Sequence, residues 1–437
     1  MSTSAHSSRI SPFAEKRMRF SAKSSYGYGK NGAMFCEGVA LERIARSAGT
    51  PVYVYSAAAV LGRYRELDHA FAGRERAVCY ALKANPNAAL CRLLSREGAG
   101  ADVVSGGELQ RALAAGFPPD RILFSGAGKT EAELRLAVRS KIAAVNVESR
   151  GELDLLARVA RRLRRRAPVG VRLNPGVGAG AHAHIQTGDA ATKFGVPARE
   201  AGALLMRCRA DRWLRPVGLQ CHIGSQIEAA GPYRKALGEL LGVLVEARRK
   251  GVELEHADIG GGMGIAYPGA RSLLPSDLAR AILPALKPHP RLRLILEPGR
   301  WLVGEAGVLL TRVLYRKEGG GRRFLIVDAG MNDLMRPALY GARHGIAPVR
   351  LGKGRASAMD IVGPVCETGD YLARGVMLPG QEPGALLAVL QAGAYGFSMS
   401  SQYNSRPRAA EALVEGRSWR VVRERESLSD VTRGEKP

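Results

Sequence analysis

With 437 residues, 46% hydrophobic and 24% charged, the chain has a globular composition and is too long for one ordinary core, so two domains are expected. No apolar run is long enough to span a bilayer, which excludes a membrane-spanning helix. The formal net charge of +25, from 65 basic and 40 acidic residues, invites a nucleic-acid reading, but the arginines are spread along the chain and no nucleic-acid motif is present, so neither nucleic acid nor membrane is expected as a partner.

Residues 1–30 are polar and basic and lack the apolar stretch of a signal peptide; they read as a disordered leader on a cytoplasmic protein. Met34–Cys36 and Val52–Tyr55 read as strands around a helix, Leu41–Ala48, that stops at Gly49. From there a beat sets in. Short apolar strands recur at Ala77–Ala81, Ala101–Val104, Ile122–Phe124, Ala144–Val147, Val169–Leu173, Val217–Cys221, Ala257–Ile259 and Leu292–Leu296. Between them lie helical patterns such as Gly107–Ala115, Glu131–Arg139, Glu152–Arg165, Arg199–Arg207, Tyr233–Lys250 and Pro275–Leu286. The dense basic run Arg161-Arg162-Leu163-Arg164-Arg165-Arg166 closes one of these and reads as a solvated helix end. Eight strands alternating with helices predict parallel pairing and an α/β fold, a (β/α)8 TIM-type barrel over residues 57–300, although an open doubly wound sheet alternates in the same way. After Trp301 the segments Val308–Tyr315, Phe324–Asp328, Met359–Val362 and Ala385–Leu390 are strand-like with few helices between them. Residues 301–437 therefore read as a second, all-β, Greek-key-like domain, which residues 31–56 join. Its tail after Arg408 is polar, with only Ser418–Val422 strand-like.

Polar groups fall at the strand ends: Lys83, Asp102 and Ser105, Ser125, Asn146 and Glu148, Arg172 and Asn174, His222 and Ser225, Gly260-Gly261-Gly262, and Glu297. Carboxyl ends of barrel strands are where such folds build their sites. Lys83 is the group that organises them. A lysine where a buried strand gives way to a loop is costly unless paired, and desolvation lowers its pKa toward a nucleophilic amine able to form a Schiff base. Taken alone it is also explained as a lysine snorkelling from a strand end. The glycine triplet lets backbone N–H groups approach an anion, and Gly299 adds another such position. Glu297 offers a carboxylate able to keep a pyridine nitrogen protonated, and His222 can lie flat against a ring. Lysine, carboxylate and glycines together spell pyridoxal 5'-phosphate (PLP) as cofactor. Ser125-Gly126-Ala127-Gly128-Lys129-Thr130 mimics the end of a phosphate-binding loop, but Leu123 stands where the first glycine is required. Of six cysteines, five lie in apolar contexts; Cys366, in Cys366-Glu367-Thr368-Gly369-Asp370, is the one placed to donate a proton. There is no metal spacing.

At these residues the sequence resembles the diaminopimelate decarboxylases, within the PLP-dependent alanine-racemase-like and ornithine-decarboxylase-like enzymes. Tyr80-Ala81-Leu82-Lys83-Ala84-Asn85 is similar to their lysine motif, and His222-Ile223-Gly224-Ser225-Gln226, Gly260-Gly261-Gly262 and Glu297-Pro298-Gly299-Arg300 to their histidine, glycine and glutamate motifs. The turn at Cys366 differs from theirs by Thr368 in place of Ser. The stretch from Val327 to Tyr340 resembles the one by which the family binds the far end of diaminopimelate. Lys193-Phe194-Gly195 resembles their loop over the barrel mouth; Gly178-Ala179-Gly180, before His182 and His184, departs from it.

The resemblance implies a homodimer with shared active sites and the substrate meso-2,6-diaminopimelate. It implies that Lys83 carries PLP, that His222 stacks on the ring and that Glu297 bonds the ring nitrogen. Ser225, Gly261, Gly262, Gly299, Arg300 and Tyr395 would lie at or near the phosphate. Arg300, Arg336, Tyr340, Glu367 and Tyr395 would hold substrate, and Cys366 would reach in from the partner subunit as proton donor. Three readings stay open beside it: a PLP decarboxylase of ornithine, arginine or carboxynorspermidine, an amino-acid racemase on the same barrel, and a non-catalytic PLP-binding protein.

Overall fold

The computed structural model describes residues 25–178, 192–352 and 354–436. These fall into two compact units: Val60–Gly307 with Gln391–Met399, and a second made of the chain up to Ala59, Val308–Leu390 and the chain from Ser400 onward.

The first unit is a closed barrel of eight strands: β1 Arg76–Ala81, β2 Gly100–Val103, β3 Ile122–Phe124, β4 Ala144–Val147, β5 Ala167–Arg172, β6 Leu214–Gln220, β7 His256–Asp258 and β8 Arg293–Leu296. Every neighbouring pair is parallel, and β8 closes on β1 with Leu296 opposite Val78. That closure removes the open-sheet alternative. The strands read as continuous apolar runs because helices cover them outside and side chains fill them inside. Cys79, Leu123, Ala144, Val217 and Ile295, from five of the strands, form one buried apolar cluster.

Two of the crossover helices show how side-chain caps set their starts. Glu131–Ser140 begins at Thr130, whose hydroxyl accepts from Glu133 N while Glu133 returns to the Thr130 amide. Arg150–Leu163 is capped by Ser149 and ends at Arg164 in the left-handed conformation, so the basic run is a helix end as expected. Near the start of β7, His256 is buried opposite Gly218, where an added Cβ would lie 2.1 Å from the ring. Burial, helped by Arg293 and Arg215, pushes this imidazole down to about 4.

The second unit is built on a sheet in the order Tyr371–Leu378, Ser357–Val362, Arg322–Val327, Gly307–Gly319, Val52–Ser56, Ala410–Glu415, Ser418–Arg423. Leu386–Val389 pairs with both Gly307–Gly319 and Ile346–Pro348. Phe324–Ile326 pairs in parallel with Asp360–Val362, and Ala410–Val414 in parallel with Val52–Ser56. Val52, Val54, Leu310, Ala388, Ala412 and Val414 share its core. The expectation of a polar tail with one strand fails at Ala410–Glu415, which is buried between two strands. Glu411 made it look solvated, yet its carboxylate accepts from the Tyr55 hydroxyl at 2.7 Å and pairs with Arg423, so the charge is compensated inside. Among the described residues no helix is long and apolar enough to cross a membrane.

Candidate active site

Lys83 sits in the turn that follows β1, and the motif around it pins that turn. Tyr80 Oη donates to Asn85 O at 2.8 Å, Asn85 Nδ2 to Gly393 O at 3.0 Å, and Tyr395 N to Ala84 O at 2.8 Å. Lys83 Nζ donates to Asp102 Oδ2 at 2.8 Å; the lysine side chain keeps 34% of its exposure and the aspartate none. From the sequence, desolvation is expected to lower the amine's pKa. Burial does pull it down, but Asp102, Glu297 and Tyr395 outweigh that and leave it above its ordinary value. Here the group is an ion pair.

The reason is an acidic layer at the carboxyl ends of the strands. Gln220 is in register with Asp258, and Asp258 with Ile295, two residues before Glu297, so these side chains share a face of adjacent strands. Gln220 Nε2 donates to Glu297 Oε2 at 3.0 Å. Asp102 Oδ1 and Gln220 Oε1 are buried without a hydrogen-bond partner, and the Asp258 and Glu297 carboxyls lie against each other, a contact that requires a shared proton. Burial first, then the charges of Asp102 and Asp258, push Glu297 well up, and burial pushes Asp258 up too. Such a layer demands protons or a cation.

His222 accepts at Nδ1 from Gly261 N at 3.1 Å, and burial, with Lys83 and Arg172 nearby, holds it neutral. In the glycine triplet two of the three amides have partners within the barrel. Gly260 N donates to Asp258 Oδ1 and Gly261 N to His222, so of the three amides only that of Gly262 is not engaged by these partners. What the triplet allows is close approach: a Cβ on Gly261 would lie 2.0 Å from Glu297 O, and one on Gly262, at φ +98°, 2.2 Å from Gly224 O. Arg300 gathers the rest. Its Nη2 donates to Ser225 Oγ at 3.0 Å, its Nη1 to Tyr267 Oη at 2.9 Å, and its guanidinium lies 4.8 Å from the ring of Tyr395. Gly299 packs on Ala81 and Ala84. Tyr267 and Asp258 were not singled out from sequence. Asp258 carries the signal of a charge inside an apolar strand; Tyr267 carries none.

Across the barrel mouth a second charged cluster is fully paired. Lys129 Nζ donates to Gly126 O, Asn146 O and Glu152 Oε1 at 2.7, 2.7 and 2.6 Å, a structural role that replaces the phosphate-loop resemblance. Glu148 accepts from Gly126 N, Arg172 Nη1 and Gly195 N at 2.9, 3.0 and 3.0 Å. It thereby ties Lys193-Phe194-Gly195 to the barrel, with Arg172 over the Phe194 ring at 4.8 Å. His182 and His184 lie outside the described residues.

Arg336, Tyr340, Cys366 and Glu367 belong to the second unit. Arg336 is 7% exposed and opens the short helix Arg336–Tyr340. Cys366 is exposed on its turn, its amide donating to Asn404 Oδ1 at 2.9 Å, while Glu367 accepts from Tyr403 Oη at 2.7 Å. Asp370 stitches this turn to the 327–340 stretch by accepting from Val365 N at 2.8 Å and Met331 N at 2.6 Å. Thr368 is exposed, so its extra methyl meets no core.

PLP can be tested against these groups. It needs an amine at a strand end, a buried carboxyl able to meet a ring nitrogen, and close backbone around a phosphate. Lys83, Glu297 and the glycine turns supply them. The sequence model for the pyridoxal binding domain of pyridoxal-dependent decarboxylases matches residues 57–304. A diaminopimelate decarboxylase of Aquifex aeolicus is 47% identical over 92% of this chain and 95% of its own, and one of Pseudomonas aeruginosa is 47% identical over 93% and 97%. The chain belongs to the diaminopimelate decarboxylases. Among solved diaminopimelate decarboxylases, that of Helicobacter pylori, complexed with L-lysine, superposes with a TM-score of 0.87 at 41% identity, covering 90% of this chain and 98% of its own. That of M. jannaschii superposes with a TM-score of 0.90 at 36% identity, over 94% and 98%. As a member of this decarboxylase family the chain uses PLP, and the acidic layer is where its barrel has chemistry left to satisfy.

Proposed function

We propose that the chain converts meso-2,6-diaminopimelate to L-lysine and CO2 at a site completed by two protomers. The observation that carries this reading is Lys83 set against a buried layer of three carboxyls, Asp102, Asp258 and Glu297, which one cation does not balance. PLP, when bound, supplies an electron sink for the pair left on the substrate's α-carbon after CO2 departs. Lys83 would hold the cofactor covalently and pass protons with Asp102. Glu297 would hold the proton of the ring nitrogen, with Gln220 fixing its other oxygen. His222, neutral and braced by Gly261, would lie against the ring without adding charge. Ser225, Gly261, Gly262, Gly299, Arg300 and Tyr395 would surround the phosphate.

The two guanidinium groups argue for the substrate. Arg300 and Arg336 suit a distal carboxylate, which a planar fork grips bidentately, and Tyr340, Glu367 and Tyr395 would complete the pocket. A substrate with an amine at that end would favour an acidic group where Arg336 stands. Cys366 of the partner subunit would protonate the α-carbon. An exposed turn cannot exclude water from a carbanion by itself, and a covering partner answers that need. We also place the enzyme in the cytoplasm, which six cysteines free of disulfides suit. Release of CO2 from meso-diaminopimelate by the PLP-loaded protein, with ornithine and arginine as parallel substrates, tests the reading. Turnover confined to diaminopimelate is the expected result; turnover of ornithine or arginine instead would overturn it.

A further inference from the structure

Two adjacent residues of one loop reach two adjacent residues of the Cys366 turn. Asn404 Oδ1 accepts from the Cys366 amide at 2.9 Å, and Tyr403 Oη donates to Glu367 Oε1 at 2.7 Å. Inside the turn, Val365 N donates to Asp370 Oδ2, Glu367 N to Val365 O and Asp370 N to Glu367 O. The backbone on either side of Cys366 is therefore set locally, and the Cys366 amide itself is set by Asn404.

Both segments stand on one base. Met331 N donates to Asp370 Oδ1 at 2.6 Å and Ser401 N to Asn332 O at 2.9 Å, so neighbouring residues of the 327–340 stretch seat the turn and the loop. The loop's own backbone is strained: Asn404 and Ser405 both take the left-handed conformation, at φ of 55° and 54°. Asparagine tolerates it better than most residues, but two such residues in succession without glycine are held there by their surroundings, and strain of this kind clusters at functional sites. Stability does not account for the arrangement. Tyr403, Asn404, Cys366 and Glu367 are all exposed on the protomer, where a hydrogen bond replaces one to water and contributes little. What it does there is fix a direction.

We propose that Tyr403 and Asn404 are positioning residues for the two groups of the Cys366 turn: Asn404 fixes the backbone from which the thiol delivers its proton, and Tyr403 fixes the Glu367 carboxylate that meets substrate. This rests on reading Cys366 as the proton donor and Glu367 as a substrate-binding group. When CO2 leaves, the electron pair of the broken C–C bond stays on the α-carbon. The thiol's proton forms the new C–H bond there, and the thiolate regains a proton from solvent. A donor held in one place delivers to one face of that carbon. A donor on a loose turn shares the delivery with water, which is not bound to one face.

Asn404→Gly removes the acceptor and also relieves the left-handed strain, so it separates position from stability. Turnover of meso-diaminopimelate in D2O leaves one deuterium on the carbon that lost CO2, and NMR of a chiral derivative of the lysine reads its configuration. The unaltered PLP-loaded protein should give one configuration. Asn404→Gly should give a mixture and lower kcat about tenfold, the size of one hydrogen bond lost, with the thermal midpoint nearly unchanged. Asn404→Asp, which keeps an oxygen for the Cys366 amide, should restore the single configuration. Tyr403→Phe should raise KM about fivefold with kcat and configuration nearly unchanged, and it carries the test alone if the glycine variant does not fold. A single configuration with unchanged kcat in Asn404→Gly, a kcat that falls only in step with the thermal midpoint, or an unchanged KM in Tyr403→Phe overturns the proposal. Cys366→Ala is measured beside them. If it keeps kcat and the single configuration, the donor reading itself is wrong and the proposal falls with it; if it loses them while Asn404→Gly does not, only the role of the loop falls.

Discussion

The two lysines at the barrel mouth differ in what surrounds them. Around Lys129 every charge is matched: its three donors reach two carbonyls and Glu152, and Glu148 takes three N–H groups. Around Lys83 one cation faces three buried carboxyls, those of Asp102, Asp258 and Glu297, and Asp102 Oδ1 and Gln220 Oε1 have no hydrogen-bond partner. Both clusters carry opposite charges at close range, so pairing alone does not mark a site. Unmet demand does. A cluster whose charges cancel holds loops together, whereas one with carboxyls in excess of its cations is shaped for something that arrives later.

The largest effects should come from exchanging the two lysines' fates. Lys83→Ala should abolish diaminopimelate decarboxylation. Lys129→Met should lower folding stability by about 3–5 kcal/mol in denaturant titrations, because it strands Glu152, while folded molecules keep their turnover. Comparable loss of activity per folded molecule in both would erase the contrast. Glu297→Gln should still bind PLP but lower kcat about a hundredfold, as for removal of one preorganised electrostatic group. A near wild-type kcat would show that the ring's electronics are set elsewhere. Mixing inactive Lys83→Ala and Cys366→Ala protomers extends the comparison to the second unit. With free exchange about half the dimers are mixed, each with one intact site of two, so about a quarter of wild-type activity should return. No recovery despite exchange shown by native mass spectrometry would mean that Cys366 serves its own chain.

The smallest effect is expected away from the mouth, at His256. Its folded pKa of about 4 lies below the ordinary 6.5, so the unfolded chain takes up a proton first as pH falls. Stability present above pH 6.5 should therefore drain away between about 6.5 and 4, by up to about 3 kcal/mol. His256→Gln should flatten that part of the stability curve; an unchanged acid limb would deny the burial of a neutral ring.

Much of this was legible in the sequence because it repeats. Strand and helix alternation marked all eight barrel strands, and the polar residue closing each strand marked the mouth. What escaped had no pattern to carry it. Ala410–Glu415 was hidden by a buried glutamate whose partners, Tyr55 and Arg423, lie on other strands. Tyr371–Leu378, with most of its residues exposed or half-exposed, shows no clean alternation. Lys83 was found, but the sign of its shift was not, since that depends on carboxylates brought together from β2 and the end of β8. Tyr267 meets Arg300 from another element, and no local spacing announces it.

The most direct measurement is borohydride reduction of the PLP-loaded protein followed by peptide mapping. Reduction fixes the cofactor to whichever lysine holds it. A single label on Lys83, with Lys129 and Lys193 unmodified, is the predicted result. A label on Lys129 would contradict the central claim, because a lysine with all three donors satisfied would then be the reactive one.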